Sequence, residues 1–321
     1  MTESKALAIG SDRSISEIDY ATALSRFRSG TEVTWIHIFD DNAARVAQQL
    51  TDDFKFHPVA VDDAVGRDER PELKEFEDHV FLVAPAVVGT ENGEETYDEV
   101  GIFVQGQTIV TVSHSKIPCL LTLWKRWEKK MILSKPEVGY IVFALLDSIL
   151  DDYFPRLDAI EERIDEISDQ IYEGDIHRMR DLLVIKRRML HMRRRLGPFR
   201  DVMNSLLRRE LDFVTDPVAP YFHDLFDNTL RLTELVDTNR DALTGLLDIH
   251  LSTVSNNLNE VMKKMTVIST VLMTSALIAG IYGMNFKIPE LNWQFGYAYS
   301  IGLMLVSSAG VLWLFRRKGW F

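Results

Sequence analysis

Residues 265–286 read MTVISTVLMTSALIAGIYGMNF and residues 291–315 read LNWQFGYAYSIGLMLVSSAGVLWLF, two uncharged runs parted by the four residues KIPE. Each run exceeds the roughly 18 to 20 apolar residues that span a bilayer core as helix, whereas a buried helix of a soluble domain rarely stays uncharged that long. The pair predicts a membrane hairpin whose first arm ends in Gly283, Met284 and Asn285. Two spans cannot enclose a polar path, because backbone and polar lining must be satisfied inside protein rather than lipid. A pore therefore requires several copies around an axis.

Upstream of the hairpin the chain is polar, and the 321 residues carry a formal charge of −12. Length predicts two soluble units before the membrane segment. The single Cys119 excludes an intramolecular disulfide and fits a reducing compartment. No apolar run preceded by positive charge occurs in the first thirty residues, so no secretory signal is expected. Lys263 and Lys264 precede the first span and Arg316, Arg317 and Lys318 follow the second, while the connecting loop holds only Lys287 and Glu290. This asymmetry places both ends in the cytoplasm of a cell (inner) membrane protein.

From about Thr31 to His114 the pattern mixes strands at Val33–Ile38, Val80–Val88, Val100–Val104 and Thr108–Ser113 with short helices at Ala43–Leu50 and Pro58–Val65. Gln105, Gly106 and Gln107 read as a hairpin turn. Beyond Ile117 the period is helical. One long helix is expected from Val142 to Ile171, a break at Gly174, and a return from Ile176 that Gly197 and Pro198 kink or interrupt. The expected class is α+β: a cytoplasmic α/β domain over 1–135, a helical hairpin over 136–220, and a stalk helix over 221–264. The membrane part comprises a first span over 265–285, an outer loop over 286–296, a second span over 297–315 and a basic tail over 316–321.

The outbound arm of the helical hairpin is acidic and the returning arm basic, which predicts ion pairs between antiparallel partners. Nucleic acid is not an expected partner, since the basic run lies in an acidic chain without regularly spaced aromatic residues. No P-loop is present, and the eight histidines show no ligand spacing with cysteine, so neither an enzyme nor an organic cofactor is expected.

Asn259, Met262, Thr266, Ser269, Met273, Ala276 and Gly280 fall at three- or four-residue steps and so share one face of the long helix expected from Phe222 to Tyr282. Small residues also serve close helix packing in lipid, so the face alone leaves two readings open. The tripeptide shifts the balance. Through Tyr282-Gly283-Met284-Asn285-Phe286, Pro289-Glu290-Leu291, Trp293 and the terminal basic residues, the chain resembles the CorA family of divalent-cation channels. Asp151-Asp152-Tyr153-Phe154, Pro220-Tyr221-Phe222, Gly245-Leu246-Leu247-Asp248, Asn259-Glu260-Val261-Met262 and His57-Pro58 with Asp62-Asp63 extend the resemblance over most of the chain.

That resemblance implies a funnel-shaped homopentamer in the lipid bilayer, with the first span lining a pore for Mg2+ and also for Co2+ and Ni2+. Gly283, Met284 and Asn285 would form the filter, Asn285 offering amide oxygens to a hydrated ion while Gly283 turns the backbone and Met284 packs beneath it. It makes Met262, Met265 and Met273 hydrophobic constrictions and Asp248 and Asn259 polar stations, with Thr266, Ser269, Ala276 and Gly280 on the same lining. Ala276 stands where relatives carry a hydroxyl. Glu290 belongs to the outer loop, where Lys287 departs from the usual acid, and Arg316, Arg317 and Lys318 form a basic ring. Asp62 and Asp63 facing Asp224 and Asp227 across subunits would bind regulatory Mg2+.

A ZntB-like proton-coupled zinc transporter is the alternative. Zinc prefers nitrogen and sulfur ligands, and neither span holds His, Cys, Asp or Glu. Membrane voltage suffices as a driving force, since two charges crossing 100 mV gain roughly 4.6 kcal/mol.

Overall fold

A computed structural model describes residues 3–10, 14–30, 32–91, 94–128, 137–172, 179–285 and 287–320. The chain forms two compact units, one of Met1–Tyr172 with His177–Gly245 and one containing Leu246–Phe321. The α/β segment and the helices that follow it to Gly245 therefore belong to a single unit.

Strands β3 (Val33–Phe39) and β7 (Thr108–Ser113) run parallel, with Trp35 opposite Ile109 and His37 opposite Thr111. Both are buried almost throughout, and accordingly their sequences carry no charged residue, the polar ones being Thr34, His37, Thr108, Thr111 and Ser113. β6 (Glu94–Gln105) returns antiparallel to β7 through Gly106, whose φ of +54° suits a tight hairpin. β5 (Val80–Glu91) and β4 (Leu73–Glu75) extend one side, β1 (Glu3–Ile9) and β2 (Ile15–Ile18) the other, giving the order β2-β1-β3-β7-β6-β5-β4. β3, β5, β6 and β7 lie where the pattern puts them, although β6 begins at Glu94 rather than Val100. β1, β2 and β4 fall outside that reading.

One sheet face packs α1 (Tyr20–Ser29), α2 (Ala43–Gln49) and α3 (Pro58–Val65), burying Ile36, Ile38, Phe81 and Phe103 against Phe54, Phe56 and Ala60. Each helix has a start signal. The Asp19 carboxylate accepts from Thr22 N at 3.1 Å, Asn42 accepts from Arg45 N at 3.2 Å, and His57 accepts from Val59 N at 3.2 Å ahead of Pro58. Against the other face lie α4 (Pro118–Glu128) and α5 (Val138–Asp151). There the Trp35 indole N–H donates to Thr111 Oγ1 at 2.9 Å, and its ring centroid is 4.8 Å from that of Trp124.

The single helix expected from Val142 to Ile171 is two, α5 and α6 (Phe154–Tyr172), broken at Asp152 and Tyr153. Pro155 explains the break: it has no N–H for the Asp151 carbonyl, and its ring would collide there. Tyr153 turns inward, fully buried, and donates to the Pro85 carbonyl at 2.9 Å. The expected break at Gly174 lies outside the described residues. α7 (Met179–Arg208) runs through Gly197 and Pro198 without interruption, held on both sides by the buried Leu196, Phe199 and Val202.

The basic side of α7 finds its partners elsewhere than expected. Arg188 grips Glu95 of β6 through several hydrogen bonds, two of them 3.0 and 3.1 Å, and Arg187 reaches Glu94 at 3.0 Å. Arg193 pairs with Asp237 at 2.8 Å, and the Arg195 guanidinium lies over the Tyr97 ring at 4.2 Å. Between α6 and α7 the described ion pair joins Arg163 to Asp181 at 3.5 Å, with the basic residue on the mainly acidic arm. Among the described residues, the first two positions of β6 and Asp237, rather than α6, neutralise Arg187, Arg188 and Arg193.

α8 (Ala219–Tyr282) is a continuous helix of 64 residues, about 96 Å at 1.5 Å per residue. Pro220 sits in its first turn, where a missing N–H is tolerated. After a short 3₁₀ turn over Pro289–Asn292, α9 (Gly296–Arg317) follows. Gly296 makes this connection possible, because a Cβ there would stand 2.2 Å from the Glu290 carbonyl oxygen. α8 and α9 each contain a segment long and apolar enough to cross a membrane.

Candidate ion pathway and regulatory carboxylates

Within the second unit, the side of α8 carrying Val267, Val271, Thr274, Ser275 and Ile278 is buried or half-buried. Ser275 Oγ lies 3.2 Å from Ser308 Oγ of α9, which identifies α9 as the cover. Helical geometry puts Met262, Thr266, Ser269, Met273, Ala276 and Gly280 on the opposite side. All six are exposed, Met273 by 70% and Met262 by 66%. Asp248, Asn259 and Met265 are exposed as well. The structure therefore brings the sequence-predicted lining residues together on one uncovered helical face.

The chemistry of that face suits a hydrated cation. The Thr266 hydroxyl donates to the Met262 carbonyl at 2.8 Å. With its proton spent on the helix backbone, the oxygen is left as an acceptor for protons of passing water. The methionines and Ala276 place apolar side chains on either side of Thr266 and Ser269 along the same face.

At the end of α8, Gly283 N donates to the Ala279 carbonyl at 2.9 Å and Met284 N to Ile281 at 3.2 Å. The helix ends at Tyr282 and Gly283 stands in the turn that follows, without a left-handed φ, where a Cβ would lie 3.2 Å from the Ala279 oxygen. Met284, expected to pack beneath the turn, is 48% exposed, and Asn285 is exposed beside it. Glu290 is half-buried, its carbonyl accepting from Trp293 N at 3.2 Å.

At the far end of α9, Gly319 adopts φ +68° and donates to the Arg316 carbonyl at 3.1 Å, while Trp320 N donates to Phe315 at 3.1 Å. This is a Schellman cap, and the rings of Phe315 and Trp320, 5.0 Å apart, supply its apolar contact. It holds Arg316, Arg317 and Lys318 at the negative end of the helix dipole, with Arg317 over the Trp313 ring at 5.4 Å.

The four predicted regulatory acids have unequal surroundings. Asp62 and Asp227 are exposed, and Asp224 accepts from Asn228 at 3.4 Å. Asp63 is already paired: Lys74 Nζ lies 2.6 Å from Asp63 Oδ2 and 2.6 Å from Glu72 Oε1. Burial works against the ammonium, but its bonds to Asp63 and Glu72 prevail and raise the Lys74 pKa.

Sequence reading missed Asp147 and Asp151 of α5, which the fold brings into the field of Asp224. Burial, then the charges of Asp151 and Asp224, push Asp147 up to about 6, with Arg126 opposing. Asp151 is raised by burial and by Asp224, again against Arg126. The four-residue spacing of Asp147 and Asp151 was the available signal. Among the described residues no three His, Cys, Asp or Glu side chains form a metal-holding set within one chain. The crowded carboxylates nevertheless offer the hard oxygen donors that Mg2+ takes.

A family model described as CorA-like Mg2+ transporter protein matches residues 30–317. The cobalt/magnesium transport protein CorA of Thermotoga maritima is 32% identical over 298 residues, covering 92% of this chain and 85% of that protein. The complete structure of the CorA magnesium transporter from Methanocaldococcus jannaschii superposes with a TM-score of 0.87 at 25% identity, covering 100% of this chain and 99% of that one. The ZntB cytoplasmic domain from Vibrio parahaemolyticus gives a TM-score of 0.66 at 12% identity, covering 79% of this chain and 98% of that domain. The last likeness concerns the fold alone.

Proposed function

Because the chain belongs to the CorA-like Mg2+ transporter family, we propose that it is an integral membrane channel that carries Mg2+ inward along the membrane potential. In this reading α8 helices from five copies surround the path, α9 lies outside them, and both termini are cytoplasmic. The observation that supports it best is the uncovered face of α8, where Thr266, Ser269 and Met273 share the side opposite α9. A face of hydroxyl oxygens, methionine and small residues turned away from its own hairpin partner suits an axis that other copies complete.

Asn285, exposed beyond the end of α8, is the proposed filter, its amide oxygen meeting the water shell of an ion that dehydrates reluctantly. Co2+ and Ni2+, close to Mg2+ in size and hydration, are proposed as further cargo. Closure is assigned to cytoplasmic Mg2+ bridging Asp62 and Asp63 of one copy to Asp224 and Asp227 of the next, with Asp147 adding negative charge near Asp224. Loss of the ion leaves the carboxylates to repel one another. The zinc reading has less support, since the likeness to the ZntB domain is one of fold and the spans carry no His or Cys.

The test is flux into proteoliposomes containing a Mg2+-sensitive dye, at an imposed negative potential and without a pH gradient. Wild type should admit Mg2+ in proportion to voltage, and Asn285→Ala should reduce entry at least tenfold. Zinc entry that demands a proton gradient, with no Mg2+ entry, would replace this function with the ZntB-like one.

A further inference from the structure

We propose that Lys74 is a tethered competitor of the regulatory magnesium ion, occupying Asp63 so that the ion must displace its ammonium before it can bridge two copies. The proposal rests on the assignment of Asp63 as a regulatory ligand. Lys74 stands on β4 opposite Phe81 of β5, so its backbone is fixed by the sheet. From there its ammonium bridges Asp63 of α3 and Glu72, at 2.6 Å to each. The Asp63 side chain is only 17% exposed, and Lys74 covers one of its oxygens.

The consequence follows from charge and geometry. Lys and Mg2+ both seek the carboxylate oxygens, and a hydrated dication beside an ammonium is repelled by it. A cation held on the same fold has an effective local concentration of millimolar order or more, so free Mg2+ must compete with it. Half-maximal closure then requires more Mg2+ than Asp63 alone would demand. Removing the ammonium leaves Asp63 and Glu72 as two uncompensated carboxylates, a stronger attractor for a divalent ion. Lys74 thus sets the working range of the sensor without touching the ion.

Lys74→Met, Lys74→Gln, Lys74→Arg and Asp63→Asn, each in the full-length chain, are compared by two readouts: the internal Mg2+ that halves flux, and the Mg2+ midpoint for protection from protease in detergent. Lys74→Met and Lys74→Gln should lower both midpoints about fivefold, as expected for coupling at the low end of the usual range, and Lys74→Arg should remain within about twofold of wild type. Unchanged or higher midpoints in both uncharged variants, with Asp63→Asn weakening the Mg2+ response, would overturn the competitor role and leave the regulatory site standing. An Asp63→Asn variant that responds as wild type would overturn both.

Discussion

Ser275 Oγ lies 3.2 Å from Ser308 Oγ, and through that contact α9 covers the side of α8 opposite Met273. A hydrogen bond between serines in a membrane segment contributes about 0.6 kcal/mol on average. Ser275→Ala should therefore lower thermal stability in detergent only slightly, and adding Ser308→Ala should cost little more. Full additivity of the two losses would show that the hydroxyls do not interact.

Met273, 70% exposed on the proposed lining, is the side chain proposed to set a constriction there by its volume. Met273→Ala should widen it and increase Mg2+ flux severalfold at high internal Mg2+, where the proposed regulation closes wild type. Flux recorded across a series of internal concentrations decides this; a variant that closes as wild type does would remove Met273 from the gate.

Gly296 has no room for a side chain, with the Glu290 carbonyl oxygen 2.2 Å from the place of its Cβ. Gly296→Ala should cost roughly 1–3 kcal/mol as the loop is forced open, displacing Glu290 and lowering flux. Gly302→Ala, where nothing lies within 4 Å of the added carbon, is the matched control and should retain wild-type stability.

Asp147 connects stability to pH. Its folded pKa, pushed up to about 6 by burial and then by Asp151 and Asp224, stands above the ordinary aspartate value of 3.8. Between those values the folded chain binds the extra proton, so its unfolding free energy falls as pH rises through the window and the penalty is complete above about pH 6. Asp147→Asn should raise stability at pH 7.5 by about 1 kcal/mol, after allowance for solvent screening, and change it little at pH 4. In wild type, Mg2+ should raise the melting temperature more at pH 7.5 than at pH 5, a difference that calorimetry should find diminished in the variant.

Glu95, its side chain 2% exposed and bound by Arg188, is expected to be structural. Glu95→Ala should destabilise the sheet-containing unit by about 3 kcal/mol, because it leaves a half-hidden guanidinium without its counter-ion. Chemical denaturation of the full chain measures this.

The membrane hairpin and the uncovered face were legible because lipid imposes length and a helix imposes period, both readable at Met265–Tyr282. The central strands were equally plain, since Val33–Phe39 and Thr108–Ser113 are rich in β-branched and aromatic residues and carry none of the charges that mark a solvent-facing side. β1 and β2 were not: Lys5, Ser16 and Glu17 break the apolar pattern, and only pairing with β3 and with each other makes strands of them. The break before α6 was written in Pro155, yet the apolar period on either side concealed it. Which acids neutralise the arginines of α7, and which acids gather near Asp224, depend on elements distant in sequence. The charge pattern of neighbouring segments holds no record of either.

The internal commitments of those arginines also shape the field outside the protein. Arg188 and Arg193 each sit against a carboxylate, forming short dipoles whose potential decays within a few ångströms. What persists at longer range is the net charge of −12, acting over a screening distance of about 8 Å in physiological salt. A dication feels such a potential twice as strongly as potassium does, so the ionic atmosphere of the chain is enriched in divalent ions before any carboxylate binds one.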